Sequence, residues 1–350
     1  MFDMTAAIHG ISLPDNRLEE DIRHKIDFKT KPLGSLGMME ELAIKMALIQ
    51  GKLCPEINRK SMLVFAGDHG IASEGVSAFP SEVTPQMVLN FLHGGAAINV
   101  LCRHYQIDMS VVDMGVNYDF EDHEGLINGK IRKGTRNFLK ENAMTPEEAR
   151  SAVEKGMEIF NGQKAMPDIT GVGEMGIGNS TSAAAIISAA TGLPPEEITG
   201  RGTGLDDRQL KNKIEIIKQA LMLRKPGKND GMDILQKVGG FEIAGIAGAV
   251  LAASAAKVPV VLDGLISTAG GLIAFLIKPE VRGYIFSGHK SVEPGQKAAL
   301  EMMNLRPVVD LNLRLGEGTG AAVTISIIQA SCKILCEMSS FDDAGVTNKD

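Results

Sequence analysis

Tryptophan is absent from the 350 residues, and the other aromatics are sparse at 12 Phe and 3 Tyr. That scarcity excludes a stacking platform for single-stranded nucleic acid, which needs aromatic faces for successive bases. It also leaves the interior to aliphatic side chains, with 18 Met to fill irregular gaps. Basic charge is not in excess: 36 Lys and Arg face 43 Asp and Glu, a net charge of −7, and no basic run occurs. A phosphate backbone finds no electrostatic footprint here, so nucleic acid is not expected as a partner. Cysteine is limited to Cys54, Cys102, Cys332 and Cys336. These scattered thiols suggest neither a disulfide framework nor a C-x-x-C zinc pair. A reducing cytoplasm is expected, with Cys332 and Cys336, one helical turn apart, as small buried residues. Long apolar runs are missing too. The most membrane-like stretches, Ile243 to Ala256 and Gly264 to Ile277, are interrupted by Lys257 and Asp263, and each falls short of the roughly 20 residues that span a bilayer. Residues Met1 to Glu20 lack the basic-then-apolar order of a secretory signal. Neither membrane association nor export is expected.

With 44% hydrophobic residues and 39 Gly, the chain can bury a sizeable core. Its length suits a dominant α/β domain with a smaller helical one. Apolar runs of strand length recur, each ending abruptly in Gly, Asp, Glu or His. Met62–Ala66 leads into Gly67-Asp68-His69-Gly70, Met109–Val112 into Asp113-Met114-Gly115, and Asp168–Thr170 into the glycines of Gly171–Gly176. Val258–Leu262 ends at Asp263-Gly264, and Gly283–Phe286 at Ser287-Gly288-His289-Lys290-Ser291. Helical patterns fill the intervals at Pro85–Arg103, Thr145–Phe160, Thr181–Thr191 and Phe241–Ala256, with Asn16–Lys52 helical around a break at Lys31–Gly37. Near-continuous apolar strands alternating with helices predict a parallel sheet covered on both faces. Ligands of such sheets bind beyond the carboxyl ends of the strands, where the polar clusters gather. Residues 117–140 read as a hairpin or cover, and 200–233 as a loop plus a short charged helix.

Gly171-Val172-Gly173-Glu174-Met175-Gly176 fits G-x-G-x-x-G, a dinucleotide signature when it joins a strand to a helix. The acidic residues at the right distance, Glu196 and Glu197, follow Pro194-Pro195 instead of ending a second strand, which weakens that reading. The continuation Gly178-Asn179-Ser180-Thr181 suits a single terminal phosphate or, without ligand, a tight turn and helix cap. No P-loop pattern is present. A second glycine cluster, Gly200-Arg201-Gly202-Thr203-Gly204, reads either as an anion loop supported by Lys211 and Lys213 or as a surface turn. In the third, Gly316-Glu317-Gly318-Thr319-Gly320, a carboxylate stands between glycines at a helix start. The helix dipole there favours the ionised form of Glu317, and the glycines let a ligand ring approach, as a general base requires. The histidines show no metal-ligand spacing, and His69 and His289 are expected to bond loop backbone or ligand oxygens. No G-x-S-x-G elbow supports a serine hydrolase.

Lys31-Pro-Leu-Gly-Ser-Leu-Gly37, Ala66-Gly-Asp-His-Gly70 with Glu74-Gly-Val-Ser77, Gly173–Thr181, Lys237-Val-Gly-Gly-Phe241, Leu262-Asp-Gly264 and Arg314–Gly320 together resemble one family. It is that of nicotinate-nucleotide:dimethylbenzimidazole phosphoribosyltransferases, and the likeness runs in order from about Lys31 to Met338. The resemblance implies transfer of 5-phosphoribose from nicotinate mononucleotide to a benzimidazole nitrogen, giving α-ribazole 5′-phosphate and nicotinate. It implies a Rossmann-like parallel α/β domain over residues 56–324, a small helical domain built from residues 1–55 and 325–350, and a homodimer. No cofactor and no metal are implied.

By the same resemblance Glu317 is the general base. Glu174 and Asp263, at strand ends, are candidates to face the charge on the ribose or to hold its hydroxyls. Gly176, Gly178, Asn179, Ser180 and Thr181 would hold phosphate or carboxylate, with Gly202, Lys213 and Ser291 in support. Phe79, Gln86, Met87 and Leu315 would line the base slot. Some relatives carry small or polar residues where this chain has Phe79 and Met87, so the preferred base stays open among benzimidazole, its methylated forms and adenine. Two other readings also stand: an NAD-dependent oxidoreductase using Gly171–Gly176, and a silent nucleotide sensor on the same scaffold.

Overall fold

All eight residues of the run Lys60–Gly67 are buried, as a strand must be when helices cover both faces of a sheet. The computed structural model describes residues 4–202 and 204–348. In chain order its elements are α1 (Met4–His9), α2 (Glu19–Asp27), α3 (Met38–Gln50), β1 (Lys60–Gly67), α4 (Val83–Leu92), α5 (Ala97–Tyr105), β2 (Asp108–Gly115), β3 (Leu126–Asn128), α6 (Pro146–Asn161), β4 (Ile169–Met175) and α7 (Asn179–Thr191). There follow α8 (Pro195–Ile198), α9 (Asp207–Arg224), α10 (Gly231–Val238), α11 (Phe241–Ala255), β5 (Val260–Leu262), α12 (Leu265–Ile277), β6 (Ile285–His289), α13 (Gly295–Met303), β7 (Pro307–Val309), α14 (Thr319–Glu337) and α15 (Phe341–Ala344). The strands form one sheet in the order β3-β2-β1-β4-β5-β6-β7, every pair parallel.

The order reverses between β1 and β4, the switch point at which doubly wound sheets open a crevice. Side chains alternate along β1, so Phe65 meets α11 while Met62 meets the turn that starts α14. Helix α11 lies across β1, β2, β4 and β5 with α6 and α12 beside it, and α14 lies across β4, β5, β6 and β7 with α3 and α5 beside it. Helix α14 is long and apolar enough by composition to cross a membrane, yet 56% of its apolar window is buried inside the protein.

Several expectations are corrected. Residues 117–140 form no hairpin: β3 is a third parallel strand beside β2. The helix expected over Pro85–Arg103 is two, because Gly94 turns left-handed at φ +77° between α4 and α5. The short charged helix of 200–233 is the 18-residue α9 followed by α10. Cys54 and Cys336, expected as free thiols, are joined as a disulfide with Cα atoms 5.3 Å apart, while Cys102 and Cys332 are free and buried.

The chain ends meet. Ile22, Ile26, Ala43, Ile44, Ala47 and Leu335 form a cluster separate from the main core, and Lys29 bridges Ser340. Helix α14 runs without a break through residue 325, so one helix serves both the sheet and this terminal cluster.

Candidate active site

Glu174, Asp263 and His289 stand at or just beyond the carboxyl ends of β4, β5 and β6. All three are buried. Asp263 does what a helix cap usually does from within its own segment. Its Oδ2 accepts from Gly318 N–H at 3.0 Å, and its Oδ1 from Gly320 at 2.6 Å and Ala321 at 3.2 Å. Those are orphan amides around the first turn of α14, and three donors demand an acceptor-only carboxylate. Committed in this way, Asp263 has little freedom for the ribose contact suggested by its position in the sequence.

The turn held by Asp263 is unusual. Gly316, Glu317 and Gly318 all occupy the left-handed region, at φ +82°, +65° and +95°. For glutamate that conformation costs energy and persists only where the surroundings over-determine it. Here Asp263 anchors Gly318, and the Glu317 N–H bonds Glu174. Gly173 lets the turn lie against β4, since a Cβ at 173 would overlap the Glu317 carbonyl. Two glycines of the G-x-G-x-x-G pattern, Gly171 and Gly173, thus sit inside a strand and serve packing. The dinucleotide reading loses its motif.

Glu317 is 6% exposed. It accepts the N–H of Ile98 in the first turn of α5, and its Oε2 has no hydrogen-bond partner among the described residues. Burial first and the Asp263 charge second push its carboxyl up to about 7. The sequence suggested the opposite, a dipole favouring ionisation. Asp263 already occupies the amides at the start of α14, so the dipole is answered before Glu317 meets it. Burial, then Asp263 and Glu242, push Glu174 up to about 8 against a hydrogen bond from Asn179 Nδ2.

Beyond β4, Gly178 at φ +97° turns the chain into α7. Ile177 N–H bonds Thr84 Oγ1 at 3.1 Å, tying this turn to α4. Lys213 Nζ, from α9, donates to Ser180 Oγ at 2.9 Å; burial pulls its ammonium down to about 8, with Glu293 opposing. His289 Nε2 accepts from Leu311 N–H at 2.9 Å and Leu313 N–H at 3.2 Å. Its pKa lies below the usual value because burial disfavours the cation, so it is a neutral acceptor holding the segment that leads to Glu317. His69 bonds Glu242 at 2.7 Å instead of loop backbone.

A cavity of about 140 Å³ unites Glu174, Gly176, Asn179, Ser180, Gly202, Asp263, Ser291, Leu315 and Glu317 from the sequence-predicted set. It adds His289, Glu293 and Arg314; the histidine and the arginine stood in sequence motifs, whereas Glu293 carried no sequence signal. Lys213 reaches this group through Ser180. Gly178 and Thr181 stand behind it, the threonine fully buried in α7. Thr203 lies outside the described residues. Phe79, Gln86 and Met87 are not among the cavity residues. Phe79 is 50% exposed, Gln86 is exposed, and Met87 packs against the core.

Comparison with known proteins fits this geometry. A phosphoribosyltransferase family profile matches residues 11–346. The nicotinate-nucleotide–dimethylbenzimidazole phosphoribosyltransferase of a Geobacter species is 53% identical over 346 residues, 99% of each chain. The protein of that name from Chloroflexus aggregans is 48% identical over 347 residues, 99% of this chain and 98% of its own. The crystal structure of CobT from Thermus thermophilus matches with a TM-score of 0.92 at 44% identity, covering 95% of this chain and 99% of that one. Sequence and fold agree along nearly the whole length, and the chain belongs to the nicotinate-nucleotide–dimethylbenzimidazole phosphoribosyltransferase family.

Proposed function

We propose that the enzyme transfers 5-phosphoribose from nicotinate mononucleotide to 5,6-dimethylbenzimidazole or a related base, giving α-ribazole 5′-phosphate and nicotinate for the nucleotide loop of cobalamin. The observation that carries this reading is Glu317, a buried carboxyl brought to about 7 beside an acid-lined cavity. A base titrating near the working pH combines a useful ionised fraction with the greatest driving force for proton transfer. Glu317 Oε2 takes the N–H proton of the benzimidazole as its other ring nitrogen bonds to the anomeric carbon. The bond to nicotinate breaks with its electron pair going to the pyridinium nitrogen, which becomes neutral. Glu174, protonated near neutrality, donates to a ribose hydroxyl and holds the ring in place while the bond to nicotinate breaks.

The 5′-phosphate lies at Gly176–Thr181, with Gly178 shaping the turn, Asn179 and Ser180 at the helix start, and Gly202, Lys213 and Ser291 in support. An anion at a helix N-terminus beside a buried ammonium is favoured by both dipole and charge. The base slot runs from Leu315 toward Phe79, Gln86 and Met87. Residues 1–55 and 325–350 act as a small helical domain, supported by their own apolar cluster. The enzyme works as a homodimer, a reading supported by the exposed Leu89 and Val100 on neighbouring helices. The test is incubation of the purified chain with nicotinate mononucleotide and a panel of dimethylbenzimidazole, benzimidazole and adenine. Equimolar nicotinate and base-phosphoribose, resolved by chromatography and mass, are expected; neither product from any base across pH 6–9 refutes the reading.

A further inference from the structure

The strap between β6 and α13 carries a side chain for which the proposed reaction has no task. Glu293 Oε1 accepts the Gly202 N–H at 2.8 Å, and its buried Oε2 has no hydrogen-bond partner among the described residues. Around this carboxylate stand the parts of an anion site. Lys213 is 1% exposed, and its Nζ donates to Ser180 Oγ at 2.9 Å and feels the charge of Glu293. Ser180 lies in the first turn of the 13-residue α7, where amides and dipole favour negative charge. Gly202 draws the parts together: a Cβ there would lie 3.0 Å from Ser180 Oγ and 3.4 Å from Lys213 Nζ. A buried ammonium, a hydroxyl, a backbone amide and a helix start converge, and the anion among them belongs to the protein itself.

We infer that Glu293 is an intramolecular competitor for the phosphate subsite, holding the Gly202 amide until a 5′-phosphate displaces it. The inference rests on the phosphate assignment proposed above. The strap suits such an exchange. Glu293 N–H bonds Ser291 Oγ at 3.1 Å and Ser291 N–H bonds Gln296 Oε1 at 2.6 Å, while Val292 between them is 52% exposed. The side chain can therefore leave without uprooting a buried apolar anchor. Phosphate displaces it by offering a further oxygen and up to one more negative charge to the same donors. Substrate and product carry the same phosphate, so the competitor weakens both, and its return speeds product release. An unphosphorylated riboside never meets it.

The glycine at 200 supplies a second, independent handle. A Cβ there would overlap Glu293 Oε2, the far end of a flexible side chain, so Gly200→Ala expels the carboxylate without deleting it. Calorimetric affinities for nicotinate mononucleotide and for nicotinate riboside are measured on the parent, Glu293→Gln, Gly200→Ala and Lys213→Met, each checked for a cooperative melt. Glu293→Gln and Gly200→Ala are expected to bind the mononucleotide about five- to tenfold tighter, as removal of a competing state requires, with the riboside unchanged. Either variant binding the mononucleotide no tighter than the parent overturns the inference. Lys213→Met separates the two levels. If it leaves mononucleotide affinity intact, the phosphate assignment fails and the inference with it; if it weakens the mononucleotide alone, the assignment holds and the other two variants decide.

Discussion

Replacing Glu317 by Gln keeps the volume of the side chain and one accepting oxygen while removing its charge and its capacity to take a proton. Two effects follow, and they pull in opposite directions. Burial and Asp263 raise the carboxyl from 4.5 to about 7. With the folded value above the unfolded one, the protonated form favours the fold; this contribution is complete below pH 4.5 and lost as pH rises through 7. At about 1.36 kcal/mol per pKa unit, ionising the buried group costs the parent roughly 3 kcal/mol at pH 8 and roughly 1 kcal/mol at pH 5. Relaxation of the site around the buried charge reduces the difference, leaving about 1–2 kcal/mol between the two pH values. Glutamine carries no such cost, and Glu174 is common to both proteins. Glu317→Gln is therefore expected to gain stability over the parent by about 1–2 kcal/mol more at pH 8 than at pH 5 in urea unfolding. Turnover is expected to fall by about 10²- to 10⁴-fold, the usual contribution of a positioned base. A stability difference that ignores pH refutes the raised pKa, and unchanged turnover removes Glu317 from the base role.

Asp263→Asn leaves one carbonyl oxygen for the Gly318, Gly320 and Ala321 amides and deletes the charge that raises Glu317. Stability should drop by about 2–4 kcal/mol, and the acidic limb of the pH–rate profile should move to lower pH; a stationary limb shows that Asp263 does not act on Glu317. Gly173→Ala forces a methyl into the Glu317 carbonyl. A loss of about 1–3 kcal/mol with turnover reduced at least about tenfold for a displaced base is expected, and a fully active variant refutes the packing. Denatured, unreduced protein should titrate two thiols, Cys102 and Cys332, whereas four would refute the Cys54–Cys336 bond.

The five strands legible in the sequence, β1, β2, β4, β5 and β6, are those containing a run of at least three buried residues. Strands β3 and β7 span three residues each and are half-buried or exposed, so no apolar run announces them. The break between α4 and α5 was hidden because apolar periodicity continues on either side of Gly94-Gly95. Helix α9 looked short because it buries only Lys213, Ile216, Ile217 and Ala220, too few for a stripe. At the site, Glu317 was visible through its flanking glycines. The Ile98 amide that holds it was not, since every residue brings an N–H and only the fold says which is left over at a helix start. The pairing of Cys54 with Cys336 was invisible for the same reason: 282 residues separate them, and the bond depends on the chain ends meeting.

Glu174, Asp263 and Glu317 share a carboxyl group and a buried setting, yet they differ in what the chain offers to their oxygens. Asp263 receives three backbone amides, which oppose the upward push of burial without reversing it. Glu317 receives one amide, from Ile98, and Glu174 receives the Asn179 side chain and the Glu317 N–H. Burial drives both upward, and both also feel Asp263 as a like charge. The residue that caps α14 thus adds to what burial does to the other two, and the helix dipole, spent on Asp263, no longer holds Glu317 ionised. The raised carboxyl of Glu317 follows from burial in the L-G-E-G-T-G turn together with the charge that the L-D-G strand end places beside it, so the base proposed here depends on both segments.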